Sequence, residues 1–126
     1  MTIVKRAALY ARLRDMGANV MLVPSAFTMV TGMAHWHALL RARAIENQCY
    51  IIAAAQCGKH NGKRVSYGHS LVVNPWGDVL ADAGSSIPAA EDDTPGSIFV
   101  ADLHTSAIAD VREKMPVAQH IRNDLY

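Results

Sequence analysis

The stretch Trp36-His-Ala-Leu-Leu-Arg-Ala-Arg-Ala-Ile-Glu-Asn-Gln-Cys-Tyr-Ile-Ile-Ala-Ala-Ala-Gln56 decides the fold, because in it an amphipathic helix runs with almost no linker into a buried strand. Trp36, Leu39 or Leu40, and Ala44 fall at helical spacing, while Arg41 and Glu46 sit on other faces. From Tyr50 to Ala55 the pattern becomes an unbroken apolar run, which suits a strand covered on both sides better than one with a wet face. Its alanines also suit a helix. Upstream, Val20-Met-Leu-Val23 is a second apolar run, ended by Pro24-Ser-Ala-Phe27. The order strand, loop, helix, strand predicts two neighbouring strands with a crossover helix between them.

Working outward toward the amino end, Ile3, Ala7, Tyr10 or Ala11, and Leu13 recur at helical intervals and predict a helix over 3–16, with Gly17 placed to end it. Residues 18–23 read as a buried strand, and 25–33 as a loop containing Thr31-Gly32. Toward the carboxyl end, Cys57-Gly-Lys-His-Asn-Gly-Lys-Arg64 reads as a polar turn. Tyr67 to Val73 is the next expected strand, and Asn74-Pro-Trp-Gly-Asp78 a tight turn feeding Val79-Leu-Ala81 as a hairpin. The Ser-, Pro- and acid-rich stretch 84–96 reads as a mobile loop, 97–103 as a strand, and 107–114 as a short helix stopped by Pro116. Residues 116–126 form an extended tail without a pattern of its own.

A chain of 126 residues holds one modest domain, here 1–126, and is too short for two independent cores. Its net charge of +1 gives no global field for nucleic acid or an anionic membrane, so neither is an expected partner. No apolar run approaches the roughly 20 residues that span a bilayer, and no cleavable signal is visible. Together these make a soluble intracellular protein the expectation. The two cysteines, Cys49 and Cys57, have neither a disulfide framework nor a zinc spacing. His35 and His37 stand two apart and face different sides of a helix, so no shared metal is expected and none is assigned. A Cys57 thiolate paired with His60 or His69 is a weaker constellation, and Lys59, Lys63 and Arg64 read as a solvated turn. Arg43, seven residues after Trp36, falls on the sheet-facing side and with Glu46 and Asn47 reads as a structural network.

Taken together, Pro24-Ser-Ala-Phe-Thr28, Thr31-Gly32, His35-Trp36, Leu40-Arg-Ala-Arg-Ala-Ile-Glu-Asn47, Ala53-Ala-Ala-Gln56, His60-Asn-Gly-Lys-Arg64, Ser66-Tyr-Gly-His-Ser70, Asn74-Pro-Trp-Gly77 and Asp124-Leu-Tyr126 resemble the nitrilase (carbon-nitrogen hydrolase) superfamily. The most similar branch is that of the Nit-type amidases acting on deaminated glutathione and ω-amides. The motifs occur in the right order with short gaps, over residues 9–126. The resemblance implies an α/β (α+β) fold, the C-terminal half of an αββα sandwich. It also implies a cytoplasmic or mitochondrial location, face-to-face dimers, and hydrolysis of a small-molecule amide without metal or organic cofactor.

In that superfamily a Glu base, a Lys and a Cys nucleophile occur in this order, the Cys on a sharp strand-to-helix turn. Counting back from Gly17 puts Met1 where the Cys belongs, with a divergent start over 1–8, and neither Cys49 nor Cys57 matches the nucleophile. No catalytic residue is therefore assigned, and the chain is expected to be inactive by itself, as a truncated product or a non-catalytic paralogue would be. What the resemblance retains is a substrate wall: Ser25, Phe27, Thr28 and Thr31 beside the nucleophile turn, and Gln56 near the end of the adjacent strand. Half a sandwich leaves one face of apolar strands uncovered, so self-association or pairing with a full-length relative is expected.

Overall fold

The computed structural model describes residues 3–85 and 98–120. A 3₁₀ turn (Ile3–Lys5) precedes α1 (Ala7–Asp15), so the first helix starts four residues later than its periodicity suggests. Gly17, at φ +92°, ends it and turns the chain into β1 (Val20–Leu22). Then come α2 (Met29–Asn47), β2 (Tyr50–Ala53), β3 (Cys57–Lys59), β4 (Val65–Tyr67), β5 (Leu71–Val73), β6 (Val79–Asp82) and α3 (Thr105–Lys114).

β1 and β2 are parallel neighbours with α2 as their crossover, which is the arrangement read from the strand-loop-helix-strand order. The four-stranded sheet runs β1-β2-β5-β6, with β2–β5 and β5–β6 antiparallel, and the Asn74–Asp78 turn makes the second of these a hairpin. Asn74 builds that turn with its own side chain: Oδ1 accepts the N–H groups of Trp76 (3.0 Å) and Asp78 (2.9 Å). A two-stranded antiparallel ribbon, β3–β4, stands apart from the sheet.

Strand register divides the side chains into two sets. Met21, Ile51, Ala53, Leu71 and Val73 share one face, where they join Trp36, Leu40 and Ala44 of α2 and Val4 and Tyr10 of the amino-terminal segment in a single core. Trp36 is also tied by direction, since its Nε1–H donates to the His69 carbonyl at 2.7 Å. The Arg43 network is structural, as read: Nε donates to the Val4 carbonyl at 3.2 Å, Nη1 pairs with Glu46, and Asn47 Nδ2 donates back to the Arg43 carbonyl at 2.8 Å. Its guanidinium lies 5.7 Å from the centre of the Tyr10 ring.

The opposite face carries Val20, Leu22, Tyr50, Ile52 and Val72. Tyr50 and Val72 are buried there, but Leu22 is 73% exposed and Val20 39%. β1, expected to be covered on both sides, is thus covered on the α2 side only; on the opposite face the start of α3 meets the Tyr50 hydroxyl of β2 through the His104 backbone (3.2 Å).

Between α2 and β2 the chain changes period at Gln48, which adopts a left-handed conformation (φ 51°) and ends the helix. Its side chain donates to the Met115 carbonyl at the end of α3 (2.6 Å).

Four further expectations change. α2 begins at Met29, four residues inside the segment read as a loop, with Thr28 in extended conformation before it. Gly32 belongs to this added turn and lets the helix close on β4, since a Cβ there would stand 2.2 Å from the Tyr67 ring. The supposed polar turn 57–64 contains β3, and Asn61 Oδ1 tightens its tip by accepting the N–H groups of Lys63 and Arg64. The single strand expected over 67–73 is two, parted by Gly68 (φ +77°) and His69 (φ +60°), whose left-handed backbones cannot continue a strand. Residues 98–103 form no strand, and Ile98 and Val100 are exposed. Most of the expected mobile loop (84–96) and the end of the tail lie outside the described residues.

Candidate functional site

β1 and β2 run parallel and end on the same edge of the sheet. In open α/β sheets this carboxyl edge is where ligands are received. A cleft of ≈ 420 Å³ lies there, lined by Pro24, Ser25 and Ala26 after β1 and by Ala54, Ala55 and Gln56 after β2.

Its walls are fixed by backbone pairing that outlasts the regular strands. The Val23 N–H donates to Ile52 (2.9 Å), Ser25 N–H to Ala54 (2.9 Å) and Gln56 N–H to Ser25 (3.0 Å). Ser25 and Ala55 are thereby bridged in parallel. From behind, Gly68 N–H donates to the Gln56 carbonyl (3.1 Å) and Tyr67 N–H to the Phe27 carbonyl (2.9 Å). Ser70 Oγ accepts the Ala55 N–H at 2.9 Å. The cleft is framed by these paired peptide groups; its lining carries no charged side chain, and Ser25 and Gln56 supply its polar ones.

Of the five residues expected to form a substrate wall, Ser25 and Gln56 meet across this cleft. Phe27 does not reach it: the ring is buried, tilted against Trp36 with centroids 4.9 Å apart. Thr28 lines a neighbouring depression with Met29, Val30 and Lys63 to Val65, and its hydroxyl meets that of Thr31 at 2.9 Å at the start of α2.

The two thiols differ sharply. Cys49 is fully buried, and its Sγ lies 3.1 Å from the carbonyls of both Ala18 and Asn47. Burial pushes this thiol above its usual pKa, and Arg112, 3.3 Å from the sulfur, only partly offsets that. It is a packing residue. Cys57 is exposed at the start of β3. Of the two imidazoles weighed beside it, His60 Nε2 meets the buried Ser66 Oγ (2.7 Å) and His69 Nδ1 meets Asp82 (2.9 Å).

One constellation was not legible in the sequence. His37, His69 and Asp82 converge from α2, the turn between β4 and β5, and β6, with Asp82 Oδ2 2.7 Å from His37 Nε2. Burial works against ionisation of Asp82. Hydrogen bonds from His37, the Gly84 N–H and His69 outweigh it and hold the carboxyl below its usual range. The three residues stand 32 and 13 positions apart, so no local spacing announces them.

Comparison with known proteins agrees with this architecture. Residues 6–113 match the family model described as carbon-nitrogen hydrolase. Over 110 residues the chain is 51% identical to the deaminated glutathione amidase of Bos taurus, covering 87% of this chain and 31% of that protein. The crystal structure of the Caenorhabditis elegans NitFhit protein superposes with a TM-score of 0.84 at 45% identity, over 99% of this chain and 28% of that one. Saccharomyces cerevisiae Nit3, of the nitrilase superfamily, gives 0.76 at 31% identity, over 96% and 41% respectively. The chain thus spans less than half the length of each of these three proteins.

Proposed function

We propose, on the premise that this chain belongs to the carbon-nitrogen hydrolase family, that its cleft is one wall of a site for a small amide of the deaminated glutathione or ω-amide kind. In this reading the chain by itself does not turn such an amide over. The observation that carries the reading is the cleft at the shared carboxyl edge of β1 and β2, with Ser25 and Gln56 facing it. The similarity to deaminated glutathione amidases supports the substrate class. Amide hydrolysis through a thioester needs a thiolate to attack, a base to take its proton and activate water, and donors for the oxyanion. Among the described residues Cys49 is buried and held protonated, and Cys57 lies outside the cleft lining. Losing a nucleophile leaves only the residual rate that binding and oxyanion contacts provide.

The test is a direct assay of the purified chain on an ω-amide and on deaminated glutathione. No turnover above a buffer blank is expected. Turnover that survives contaminant controls would overturn the inactive reading. If such turnover were abolished by Cys57→Ala, that thiol would be the nucleophile; alkylation no faster than free cysteine excludes it.

A second reading, an interaction protein, is favoured by the open apolar margin of Val20 and Leu22 on β1. In it the chain pairs through its sheet with a second copy or with a full-length relative. Co-expression with such a relative followed by size exclusion decides this, and two separate peaks would count against it.

A further inference from the structure

We propose that His37, His69 and Asp82 form a binding site for a divalent transition-metal ion of the zinc type, which clips α2 to the sheet hairpin. The inference is independent of the amide cleft. Imidazole nitrogens and a carboxylate oxygen are the donor set that zinc and its neighbours take, at about 2.0–2.2 Å from the metal. Here His37 Nε2, His69 Nδ1 and an Asp82 oxygen all lie within 4.8 Å of one another. Asp82 is the hub: its Oδ2 stands 2.7 Å from His37 and its Oδ1 2.9 Å from His69. Two ligands on a zinc stand about 3.3 Å apart, so an ion enters by a side-chain shift of about an ångström.

What distinguishes the cluster from a chance network is that His69 and Asp82 are each aimed by other contacts. His69 sits in a left-handed conformation (φ +60°) that a non-glycine residue adopts only when its surroundings hold it there. Its carbonyl takes the Trp36 Nε1–H, its N–H donates to the Gly84 carbonyl at 2.9 Å, and its ring stacks on Tyr67 at 4.3 Å. Asp82 Oδ1 accepts the Gly84 N–H at 2.8 Å, which turns the carboxylate toward the two rings. The side chains of His37, His69 and Asp82 are 33%, 20% and 28% exposed, so the cluster has an entry path. Three protein ligands leave the fourth tetrahedral position to water. On binding, the proton that each ring nitrogen shares with the carboxylate moves to the far nitrogen of the ring or to solvent.

The test is calorimetric titration of the full 126-residue chain with zinc chloride, beside His37→Gln, Asp82→Asn and the control His35→Gln. One-to-one binding is expected, weakened at least about tenfold in the first two variants and unchanged in the control. Zinc should raise the Tm of the wild type and the control, and not of His37→Gln. If a variant fails to fold, imidazole NMR of the wild type decides: zinc should shift the ring resonances of His37 and His69 before those of the other four histidines. Binding that is undiminished in His37→Gln and Asp82→Asn, ring shifts spread evenly over all six, or no binding at all would each overturn the proposal.

Discussion

The two faces of the sheet are built from the same kinds of residue and meet different fates. On one, Ile51, Leu71 and Val73 are completely buried under α2; on the other, Leu22 stands 73% exposed beside a buried Tyr50. Strand composition therefore does not decide coverage. What decides it is the crossover helix α2, which packs over one side only.

Breaking the covered face should have the largest effect. Trp36→Ala removes a fully buried ring and the bond to the His69 carbonyl, and should cost about 3–5 kcal/mol in chemical denaturation. Arg43→Met comes next: it strands the Val4 carbonyl and releases Glu46, which is half exposed, so a loss of about 1–3 kcal/mol is expected. On the open face Leu22→Lys should change unfolding free energy by less than about 0.5 kcal/mol. It should nevertheless reduce any self-association seen by sedimentation; a large loss of stability would show that this margin is packed in the monomer. The smallest effect concerns acid. Because the folded state holds the Asp82 carboxyl below its usual range, its contribution is fully present above about pH 4 and is lost as pH falls through the lowered folded value. Asp82→Asn should therefore narrow its stability gap from the wild type as the pH drops below that point.

The helix-to-strand core was legible because its signals are local. A helical period ends at Asn47 and an apolar run begins at Tyr50, and both translate directly into α2 and β2. The parts that were misread depend on tertiary partners. α2 gains its first turn because Gly32 allows close approach to Tyr67, and a Gly-His pair interrupts what reads as one apolar strand. Met21 and Leu22 are equally apolar, and only the position of α2 tells which is covered. Ser25 and Gln56, which line the cleft, were named by family likeness, not by pattern, and Phe27, named by the same likeness, packs inward. The His37-His69-Asp82 cluster needed three elements to be in place at once.

Gln48 has a consequence beyond ending a helix. As the one left-handed residue between a 3.6-residue repeat and a two-residue alternation, it sets the phase between them. One residue added between Asn47 and Tyr50 would turn Tyr50 and Ile52 toward Trp36 and send Ile51 and Ala53 outward. A whole domain would then be inside out along its central strand, without a single side chain having been replaced.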